Sequence, residues 1–584
     1  MYNENKKIVC YIGDRKFNFI IPDTSSINIK TINIFDNSVV MSIDDIVPIR
    51  VDIYPIDADN ILPVFEIDNN AIADIKMGTI VPKNIGNCII TVKSPDGEKV
   101  IGSIPLEVTE SPSETIISDL ETYNVILADH RISNDGITET ADNFNLMLAW
   151  AKEQRYKKVV MPNGTYLIGS EKCITLLSDL VLDLGGSILQ QETSTGQNIK
   201  LINIPSGTHN CRLTNGTIRG DRDSRDPKDC QEFIHGIVCN GDHIELDNLI
   251  VEKFLGYGFA TGYGDRKAMA YISKDNLIEV STNNWTTINY IDISSFTDNL
   301  MIGNSFGYGG WGSIDDSANF DIRFYNSSKT LIEEVFMVRP YREINIPNGA
   351  KYVMLDLNDS KVGNGNVDFW NAISFLLEYV PSDYLNIHDC TIQYCKSLGI
   401  AYSSQGTHNV IDNCNFNNNG GANATADIDL EDGWENMRCL VIKNCTFDET
   451  STRSYIQCAG ESIVLYNNIF GKEVGISDRC YHTRIIDNTF STTSGKALRV
   501  VTEWFSGGCF LEGNTFTNFN CVFNNNRNKE KAIRLYFKNN TFNGGTLNNQ
   551  SRYQVIKGLT VSNTTSLNGE FEDITIKHYS TIQN

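Results

Sequence analysis

The sequence predicts an all-β chain whose main part is a parallel β-helix, and three observations support that prediction. One short phrase recurs along the chain: an apolar strand, an Asn-rich turn, and then Thr-Phe or Thr-Ile. Successive copies lie 20 to 32 residues apart, except across one larger gap. This period fits one coil of a solenoid, whereas the blades of a propeller need roughly 40 residues. A short amphipathic pattern precedes the copies, where an open sheet end needs a cover.

The composition excludes several classes of protein. The 584 residues include 72 Asp+Glu and 49 Lys+Arg, a formal net charge of -23, so nucleic acid is not expected as a partner. With 41% hydrophobic and 21% charged residues, the chain is expected to pack and not to be disordered. No run approaches the ~18 apolar residues of a membrane span, and the first residues lack the apolar run of a secretory signal. The 15 cysteines contain no CxxC pair, which disfavours a zinc framework and a disulfide scaffold.

Residues 1–110 form the first predicted unit. Short alternating strands, such as 49–54 and 88–92, are punctuated by prolines in the manner of an antiparallel sandwich. The stretch 51–108 resembles a bacterial Ig-like domain, chiefly in the runs 71–75 and 86–92. We expect this unit to serve as a spacer or attachment domain. Residues 111–130, around Ser111-Pro112-Ser113, are predicted to be a linker.

The entry to the solenoid has its own signature. The turn Asn134-Asp135-Gly136 comes before a helical pattern with Phe144, Met147, Leu148 and Ala151 on one face, and then a strand, Pro162 and Gly164-Thr165-Tyr166. This order resembles the entry to β-helices of the pectate-lyase superfamily. The resemblance implies a right-handed parallel β-helix with a capping helix, built from residues 131–264 and 383–584.

The repeated phrase also assigns the interior of the solenoid. Its last residue is expected to stack on its counterparts inside, and an earlier phase forms a column of small side chains, Cys390, Cys414 and Cys445, at a tight turn. The copies end at Ile188, Ile218, Ile250, Ile392, Phe416, Phe447, Phe470, Phe490, Phe516 and Phe542.

One segment interrupts the repeat. The gap between Ile250 and Ile392 is 142 residues, and removing residues 265–382 shortens it to 24, which is a normal coil. The runs 320–329 and 344–352 resemble jelly-roll modules of phage tail fibres and of carbohydrate-binding modules. We therefore expect residues 265–382 to form an inserted carbohydrate-binding-like β-sandwich beside the catalytic groove.

Together these parts resemble a phage or prophage tail spike. The resemblance implies a protein of the virion tail that binds a bacterial surface polysaccharide (capsule or exopolysaccharide) or teichoic acid. It also implies tail or baseplate proteins as partners and a homotrimeric assembly. No cofactor is expected, and calcium is the one ion that the sequence leaves open.

One strand contains the candidate catalytic residues. If Ile428 and Leu430 point inward, then Asp427, Asp429 and Glu431 point outward together. Residues i and i+2 of a strand lie ~6.6 Å apart, within reach of the ~5 to 9.5 Å that glycosidases use between carboxyl groups. We expect Asp429 and Glu431 to be the catalytic pair, with Asp427 next and Asp478 ~10 Å along the stack.

Other residues aligned with this strand are candidates for substrate binding. Arg479 and Arg499 would anchor an anionic or hydroxyl-rich polymer, and Glu503 would line the groove at ~14 Å. The remaining members of the predicted set are Trp504, Trp434, Gln457 and Tyr455.

Three functions remain open at this point. The acidic strand favours a hydrolase, the missing catalytic motif leaves a non-catalytic receptor-binding fibre, and an arginine base would give a polysaccharide lyase. Outward carboxylates on such folds are also often solubilising groups or calcium ligands. The acidic and basic loop 221–229 is expected to be solvated.

Overall fold

The computed structural model describes most of the chain in segments. The described residues are 7–12, 15–20, 31–34, 37–54, 62–111, 121–193, 199–226, 233–261, 268–271, 277–281, 284–296, 299–303, 319–338, 344–358, 375–378, 383–402, 406–420, 426–430, 437–448, 454–471, 473–491, 498–501, 508–518, 520–524, 534–549, 553–561, 566–569 and 574–578.

The main body is a parallel β-helix, as the sequence predicts. Most coils contribute two short segments to one large sheet of 23 strands and one strand to a small sheet of 14 strands. Every pairing within these two sheets among the described residues from Lys158 onward joins parallel strands. The two sheets enclose one continuous apolar core that runs from the cap to Leu547.

The strands of the large sheet follow the chain in order. They are Thr122–Asn124, Asp135–Glu139, Lys158–Val160, Thr165–Ile168, Val181–Gln191, His209–Arg219, Asp242–Glu252, Asn386–His388, Thr391–Gln393, Val410–Asp412, Asn415–Asn417, Val441–Lys443, Thr446–Phe447, Val464–Tyr466, Ile469–Phe470, Thr483–Ile486, Thr489–Ser491, Gly508–Glu512, Thr515–Thr517, Arg534–Lys538, Thr541–Asn543, Tyr553–Val561 and Ile574–His578.

The strands of the small sheet close each coil on the other side. They are Ile174–Thr175, Ile199–Ile204, Ile234–Cys239, Tyr257–Thr261, Leu398–Tyr402, Gly406–Thr407, Ala426–Leu430, Met437–Arg438, Ser454–Glu461, Glu473–Tyr481, Leu498–Val501, Cys521–Asn524, Thr546–Asn549 and Ser566–Gly569.

A column of stacked rings fills the interior, which confirms the predicted role of the repeated phrase. Neighbouring rings lie 4.4 to 5.0 Å apart between centroids, close to the ~4.8 Å spacing of paired strands. Each coil therefore places its aromatic ring directly on that of the coil before. The stacked residues are Phe416, Phe447, Phe470, Phe490, Phe516 and Phe542.

A second interior column lies at the corner between the two strands of each coil. The corner residue adopts a left-handed backbone, which Asn tolerates better than most residues, as at Asn413 and Asn444. The following residue points inward, and Cys390, Cys414 and Cys445 are buried there, as predicted. Burial raises the pKa of the Cys390 and Cys414 thiols well above its ordinary value, so neither is a reactive thiolate.

Asparagine replaces cysteine in this column in the later coils. Asn514 shows the pattern: its side-chain amide donates to Ile485 O at 2.7 Å, and its Oδ1 accepts from the backbone N of Asn488 at 2.9 Å. Each such side chain bonds to the coil on either side, so the column satisfies buried backbone groups between coils. The buried members are Asn468, Asn488, Asn514 and Asn540.

The register of the first coils differs from the sequence prediction by one residue. The interior column runs through Leu189, Ile218 and Val251 to Ile392. Ile250, which we expected inside, lies on the outer face and is 41% exposed. Ile188 occupies the same outward row as Ile250. The prediction was wrong there because these strands carry apolar residues on both faces.

Two helices cover the first coil. They are α1 (Leu127–His130) and α2 (Ala141–Glu153), and α2 buries Phe144, Met147 and Leu148 on the end of the core. The strand Thr122–Asn124 pairs with Lys158–Val160. That strand and α1 therefore belong to the capped end of the solenoid, although they lie in the segment 111–130 that was predicted to be a linker. A short 3₁₀ helix, Arg222–Ser224, follows in a later turn.

The N-terminal residues form small sheets of their own. A four-stranded sheet, with a parallel pair between Val39–Ser42 and Val100–Thr109, faces a three-stranded antiparallel sheet across a shared core. The strands of this region are Lys7–Ile12, Arg15–Ile20, Thr31–Ile34, Val39–Ser42, Val47–Pro48, Val51–Tyr54, Val64–Ile67, Ala73–Lys76, Thr79–Pro82, Gly86–Lys93 and Val100–Thr109.

These N-terminal sheets pack against the outer face of the large sheet. One outward row on five consecutive coils provides the contact: Val441, Val464, Arg484, Phe510 and Tyr536. Phe510 and Tyr536 join the N-terminal core, while Val441 and Val464 pack on an N-terminal isoleucine. Arg484 donates to two N-terminal carbonyls at 2.9 and 3.0 Å. The row is apolar apart from Arg484, so this contact buries side chains that would otherwise face water.

The described strands between Thr261 and Asp383 lie outside the two sheets of the solenoid. The strand Tyr257–Thr261 pairs directly with Leu398–Tyr402, so the coils on either side of this segment are neighbours. The segment builds two antiparallel sheets from the strands Ala268–Tyr271, Leu277–Ser281, Asn284–Thr287, Ile291–Asp292, Asn299–Gly303, Asn319–Tyr325, Leu331–Val338, Ile344–Asn345, Tyr352–Asn358 and Phe375–Glu378. Among the described residues of the whole chain, no helix is long and apolar enough to cross a membrane.

The loop 221–226 is less solvated than expected. Asp221 is buried and pairs with Arg225 at 2.6 Å, while Asp223 pairs with Lys253 at 2.6 Å. Basic side chains thus neutralise the two described acidic residues that precede Arg225. Carboxylates engaged in ion pairs of this kind are less available as ligands for a calcium ion.

The asparagine column predicts the outcome of one substitution. Asn514→Ala should lower the free energy of unfolding by about 2–4 kcal/mol, because it leaves buried backbone and side-chain groups without partners. Urea unfolding followed by circular dichroism measures this difference. Asn543→Ala, at an exposed position of the next coil, is the matched control and should have little effect. Equal midpoints for the two variants would contradict the proposed role of the column.

Candidate functional site

The strand Ala426–Leu430 contains the residues predicted to carry the chemistry. Ile428 and Leu430 lie in the core, and Asp429 is half-buried between them on the outer face. The flanking Ala426 belongs to an outer apolar cluster with Tyr257 and Leu398. Asp429 is thus a carboxylate at the border of an apolar part of the small sheet.

Asp427 does not point outward, and this corrects the prediction. Its side chain is fully buried, and Oδ1 accepts a hydrogen bond from the buried Asn419 amide at 2.9 Å. The two preceding coils carry Gly258 and Gly399 at this position, and a Cβ on either would meet the interior residue Ile392. The strand therefore bends at Asp427 and places two consecutive residues inside.

This bend changes the chemistry of the strand. Asp427 cannot reach a polymer on the outer face, and it does not share a face with Asp429. The three carboxylates that we expected on one outward face therefore do not all share it. The glycines one and two coils earlier are the signal that could have revealed the inward position.

Backbone register places Asp429 in a defined outer row. The row runs from Ala260 through Ala401 and Asp429 to Gln457, Gly475 and Arg499. Arg499 is three strands from Asp429, or ~14 Å along the stack. Other outward rows of the molecule carry several charges, whereas the described members next to Asp429 carry none.

Asp478 is a second correction. Two coils after Asp429 the row passes through Gly475, and Asp478 lies three residues farther along that strand. The strand also changes register between Cys458 and Gly460. Because of this shift Asp478 lies opposite about Ala459, ~7 Å along the strand in addition to two strand spacings of ~4.8 Å, so its backbone is farther from that of Asp429 than the ~10 Å expected.

The other predicted site residues are only partly covered by the structure. For Tyr455, Gln457, Arg479 and Arg499, the strand positions are described and the side chains are not. The rest lie outside the described residues: Glu431, Trp434, Glu503 and Trp504.

A buried histidine lies on the same outer face, earlier in the small sheet. His235 is 5% exposed and stacks near Tyr257, with 4.9 Å between ring centroids. Burial lowers the pKa of His235 to about 3, and the nearby Lys200 adds to this effect. His235 is therefore neutral at physiological pH and does not serve as a cationic anchor.

A cluster that sequence reasoning missed lies on the outer face of the large sheet. Arg212 donates twice to the Asp247 carboxylate, at 2.7 Å each, and Asp247 also accepts from Thr214 and Asn248. His388, in the next coil, pairs with Glu245 at 3.0 Å. We call Arg212, Glu245, Asp247, His388 and Asp389 the ion-pair cluster.

The cluster holds His388 in its cationic form. Burial alone would lower the pKa of His388, but hydrogen bonds to Glu245 and to Asp389, at 3.0 and 2.7 Å, raise the pKa to about 9. Burial likewise would raise the pKa of Asp247, but Arg212 outweighs it and holds the pKa below its ordinary value. The positive charge of His388 and the negative charge of Asp247 are therefore both compensated within the protein.

These residue types are also those that bind metal ions. One ligand atom from each of Glu245, Asp247 and His388 lies within 4.8 Å of the others. However, the Arg212 guanidinium already occupies the Asp247 carboxylate, and a protonated His388 has no lone pair to offer. A divalent cation would have to displace both, so the donor set fits a network of ion pairs better than a metal centre.

The one-residue slip in register hid this cluster from the sequence prediction. Asp247 and His388 each lie four residues before an interior residue, Val251 and Ile392 respectively. An alignment on Ile250 pairs His388 with Leu246 instead. An alignment on Val251 and Ile392 pairs Asp247 with His388, although the inserted segment separates the two residues in the sequence.

Comparison with protein families identifies the class of the solenoid. Residues 377–568 match the family described as a right handed beta helix region. This match confirms the right-handed parallel β-helix that the sequence predicts. No curated protein matches the chain in sequence.

Solved structures similar to this chain include phage tail spikes and a polysaccharide-modifying enzyme. The mannuronan C-5 epimerase AlgE4 A-module of Azotobacter vinelandii is 8% identical with a TM-score of 0.42, over 78% of this chain and 100% of that one. The tailspike of Escherichia coli bacteriophage HK620, in complex with a pentasaccharide, is 9% identical with a TM-score of 0.38, over 75% and 64%. The tailspike gp49 of Acinetobacter baumannii bacteriophage Fri1, a capsular polysaccharide depolymerase, is 8% identical with a TM-score of 0.33, over 79% and 65%. At these values the likeness carries no argument about activity.

The ion-pair cluster predicts how stability depends on pH. The pKa of His388 is about 9 in the folded chain and ~6.5 when unfolded, so its contribution is complete below pH ~6.5 and is lost as the pH rises through about 9. Wild type should lose about 1–3 kcal/mol more stability than His388→Asn between pH 6.5 and 9.5.

Urea unfolding at both pH values measures this difference. His209→Asn is the matched control, because His209 is exposed and lies outside the cluster. Parallel pH profiles for wild type and His388→Asn would show that the cluster does not hold the proton as described.

Proposed function

We propose that the chain is a tail-spike-like β-helix protein that binds a bacterial surface glycopolymer and cleaves it by hydrolysis. The observation that carries the proposal is Asp429, a half-buried carboxylate on the outer face of the small sheet. Its neighbours in the row, Ala401 and Gln457, are uncharged, so Asp429 is the ionisable side chain at this point of the row. A carboxyl group placed on the outer face within reach of a bound polymer is a candidate general acid or base.

The proposed reaction uses two carboxyl groups. Asp429 is one, and Glu431, two residues later in the sequence, is proposed as the other. One group donates a proton to the glycosidic oxygen as that bond to the anomeric carbon breaks. The other takes a proton from a water molecule, whose oxygen forms the new bond to the anomeric carbon. One water is consumed, and no cofactor or metal ion enters the proposed reaction.

The same row suggests how the polymer is held. Arg499 lies ~14 Å from Asp429 along the row, which suits contact with a sugar several units from the cleavage point. We propose Arg479, Arg499 and Gln457 as polar contacts of the polymer. The remaining proposed contacts are Glu503, Trp504, Trp434 and Tyr455.

A receptor-binding fibre without catalysis is the second candidate, and the bend at Asp427 favours it. With Asp427 inside, the strand retains fewer outward carboxylates than the sequence suggested. A binder needs an extended polar face and no carboxyl pair. The two candidates differ in whether new reducing ends form when the protein meets its polymer.

The catalytic pair can be tested by two isosteric substitutions. Asp429→Asn and Glu431→Gln should each reduce cleavage of the host polymer by at least about 100-fold, because each removes an acid or a base. A reducing-end assay on capsule or teichoic acid from the host measures cleavage.

Asp427→Asn is the matched control for these variants. It removes a carboxylate from the same strand but from its inner side, so any effect should appear in stability and not in turnover by folded protein. Full activity of both outer variants would exclude this strand as the catalytic site. Absorbance from an unsaturated uronate, without hydrolysis, would indicate a lyase instead.

We further propose a homotrimer that joins a virion tail through tail or baseplate proteins. Light scattering at micromolar concentration should give about three times the chain mass of 65.4 kDa. A monomer mass under these conditions would contradict the proposed assembly. That result would leave the cleavage assay, which reads the site of a single chain, unaffected.

A further inference from the structure

The cap of the solenoid carries an aromatic cluster on its outer surface. Tyr123, His130, Trp150 and Tyr156 pack with ring centroids 4.9 to 6.0 Å apart, mostly in edge or tilted contacts. The Tyr123 hydroxyl lies 2.7 Å from His130 Nε2. We call these four residues the cap cluster. It is built from the first strand, both helices and the turn after α2.

Two members of the cap cluster, Tyr123 and Tyr156, pack against the end of the core, which the fully buried Phe144, Met147 and Leu148 of α2 close. Trp150 instead lies on the outer face of α2, where it is 36% exposed, next to Leu146, which is 67% exposed. Exposed aromatic and apolar surface of this kind is common at binding sites.

Two arginines flank the cluster in an unfavourable backbone conformation. Arg131 follows α1 with φ +54°, and Arg155 follows α2 with φ +68°. At both ends the next residue closes a six-residue hydrogen-bonded turn, Ile132 N to Leu127 O and Tyr156 N to Ala151 O. Glycine is the usual residue at this position of such a turn, and a side chain there costs of order 1 kcal/mol.

The left-handed residues elsewhere in the solenoid are mostly Asn, Asp and His, and among the described positions only these two are arginine. Both side chains are exposed. Within the described part of the chain, neither guanidinium has an ion-pair partner. Residues that keep a side chain at the conformational cost of a left-handed backbone are often found at functional sites.

The charge around the cluster differs from that of the chain as a whole. Four exposed cations, Arg131, Lys152, Arg155 and Lys157, lie beside the first strand of the cap, α1 and the end of α2, together with the exposed carboxylates of Glu121, Asp129 and Glu153. The chain as a whole carries a formal net charge of -23, whereas an anionic ligand meets no local excess of negative charge among these residues. Guanidinium groups bind carboxylates and phosphates through paired hydrogen bonds, and aromatic rings offer apolar faces to sugars.

The geometry points to a second binding site at the cap, made of the cap cluster and the two arginines, for an anionic polysaccharide. The choice of a glycan as ligand rests on the proposed function. The site lies at the capped end of the solenoid and is separate from the strand that carries Asp429. It would hold a remote part of the polymer while another part is cut, which raises the local concentration of substrate.

Binding of defined polymers to the full chain tests this inference. Polygalacturonate is the anionic glycan probe, dextran is the neutral glycan, and poly-glutamate is an anionic peptide. Wild type should bind polygalacturonate with an affinity that falls as salt rises, and should bind dextran and poly-glutamate at least about tenfold more weakly. Equal or tighter binding of poly-glutamate would overturn the glycan assignment in favour of an acidic peptide.

The arginine positions provide variants that should fold well. Glycine is preferred in the left-handed region, so the double variant Arg131→Gly/Arg155→Gly should keep or raise the unfolding midpoint. It should weaken polygalacturonate binding by about tenfold, and Trp150→Ala should do so by a similar factor. Arg219→Gln, which removes an arginine far from the cap, is the control and should bind as wild type does.

The outcomes separate this inference from the proposed function. Cap variants should cleave short fragments at the wild-type rate, because those fragments do not span both sites. Wild-type affinity in the double glycine variant, or no binding of polygalacturonate by wild type, would overturn the cap site and leave the Asp429 proposal untouched. Cap binding without any cleavage would instead sustain the cap site and count against hydrolysis.

Discussion

The structure depends on the exact superposition of one coil on the next. Parallel strands pair at ~4.8 Å, and each interior side chain meets its own counterpart from the neighbouring coils. The stacked phenylalanines from Phe416 to Phe542 show this constraint in apolar form. The asparagines from Asn468 to Asn540 show it in polar form, since each satisfies buried groups of its neighbours. A shift of one residue in any coil would turn every side chain of that strand to the wrong face.

The same constraint explains what could be predicted from the sequence. The Phe column could be predicted because Thr-Phe recurs and because a regularly repeated aromatic ring on the outer face would be exposed to water. The early coils could not be placed as well, since Ile250 and Val251 are both apolar and either could face inward. Asp427 was placed on the wrong side because strict alternation was assumed through a bend that Gly258 and Gly399 mark.

The ion-pair cluster shows a second limit. His388 and Asp247 are separated by the inserted segment, and only the correct register joins them. Packing of the N-terminal sheets on the solenoid was also not predictable. It depends on an outward row that is polar at Arg212, Glu245 and Asn386 and becomes apolar from Val410 through Val441 to Val464 over consecutive coils. The sequence around an apolar outward row does not indicate which distant part of the chain packs on it.

This lateral packing has a mechanical consequence. A force applied to the N-terminal sheets would reach the solenoid sideways through Arg484, Phe510 and Tyr536, and not only through the chain that connects the two parts. The load would be shared as shear by several coils at once, and contacts loaded in parallel resist rupture better than contacts broken one at a time. A tether attached to the N-terminal sheets would therefore pull on several of the later coils together.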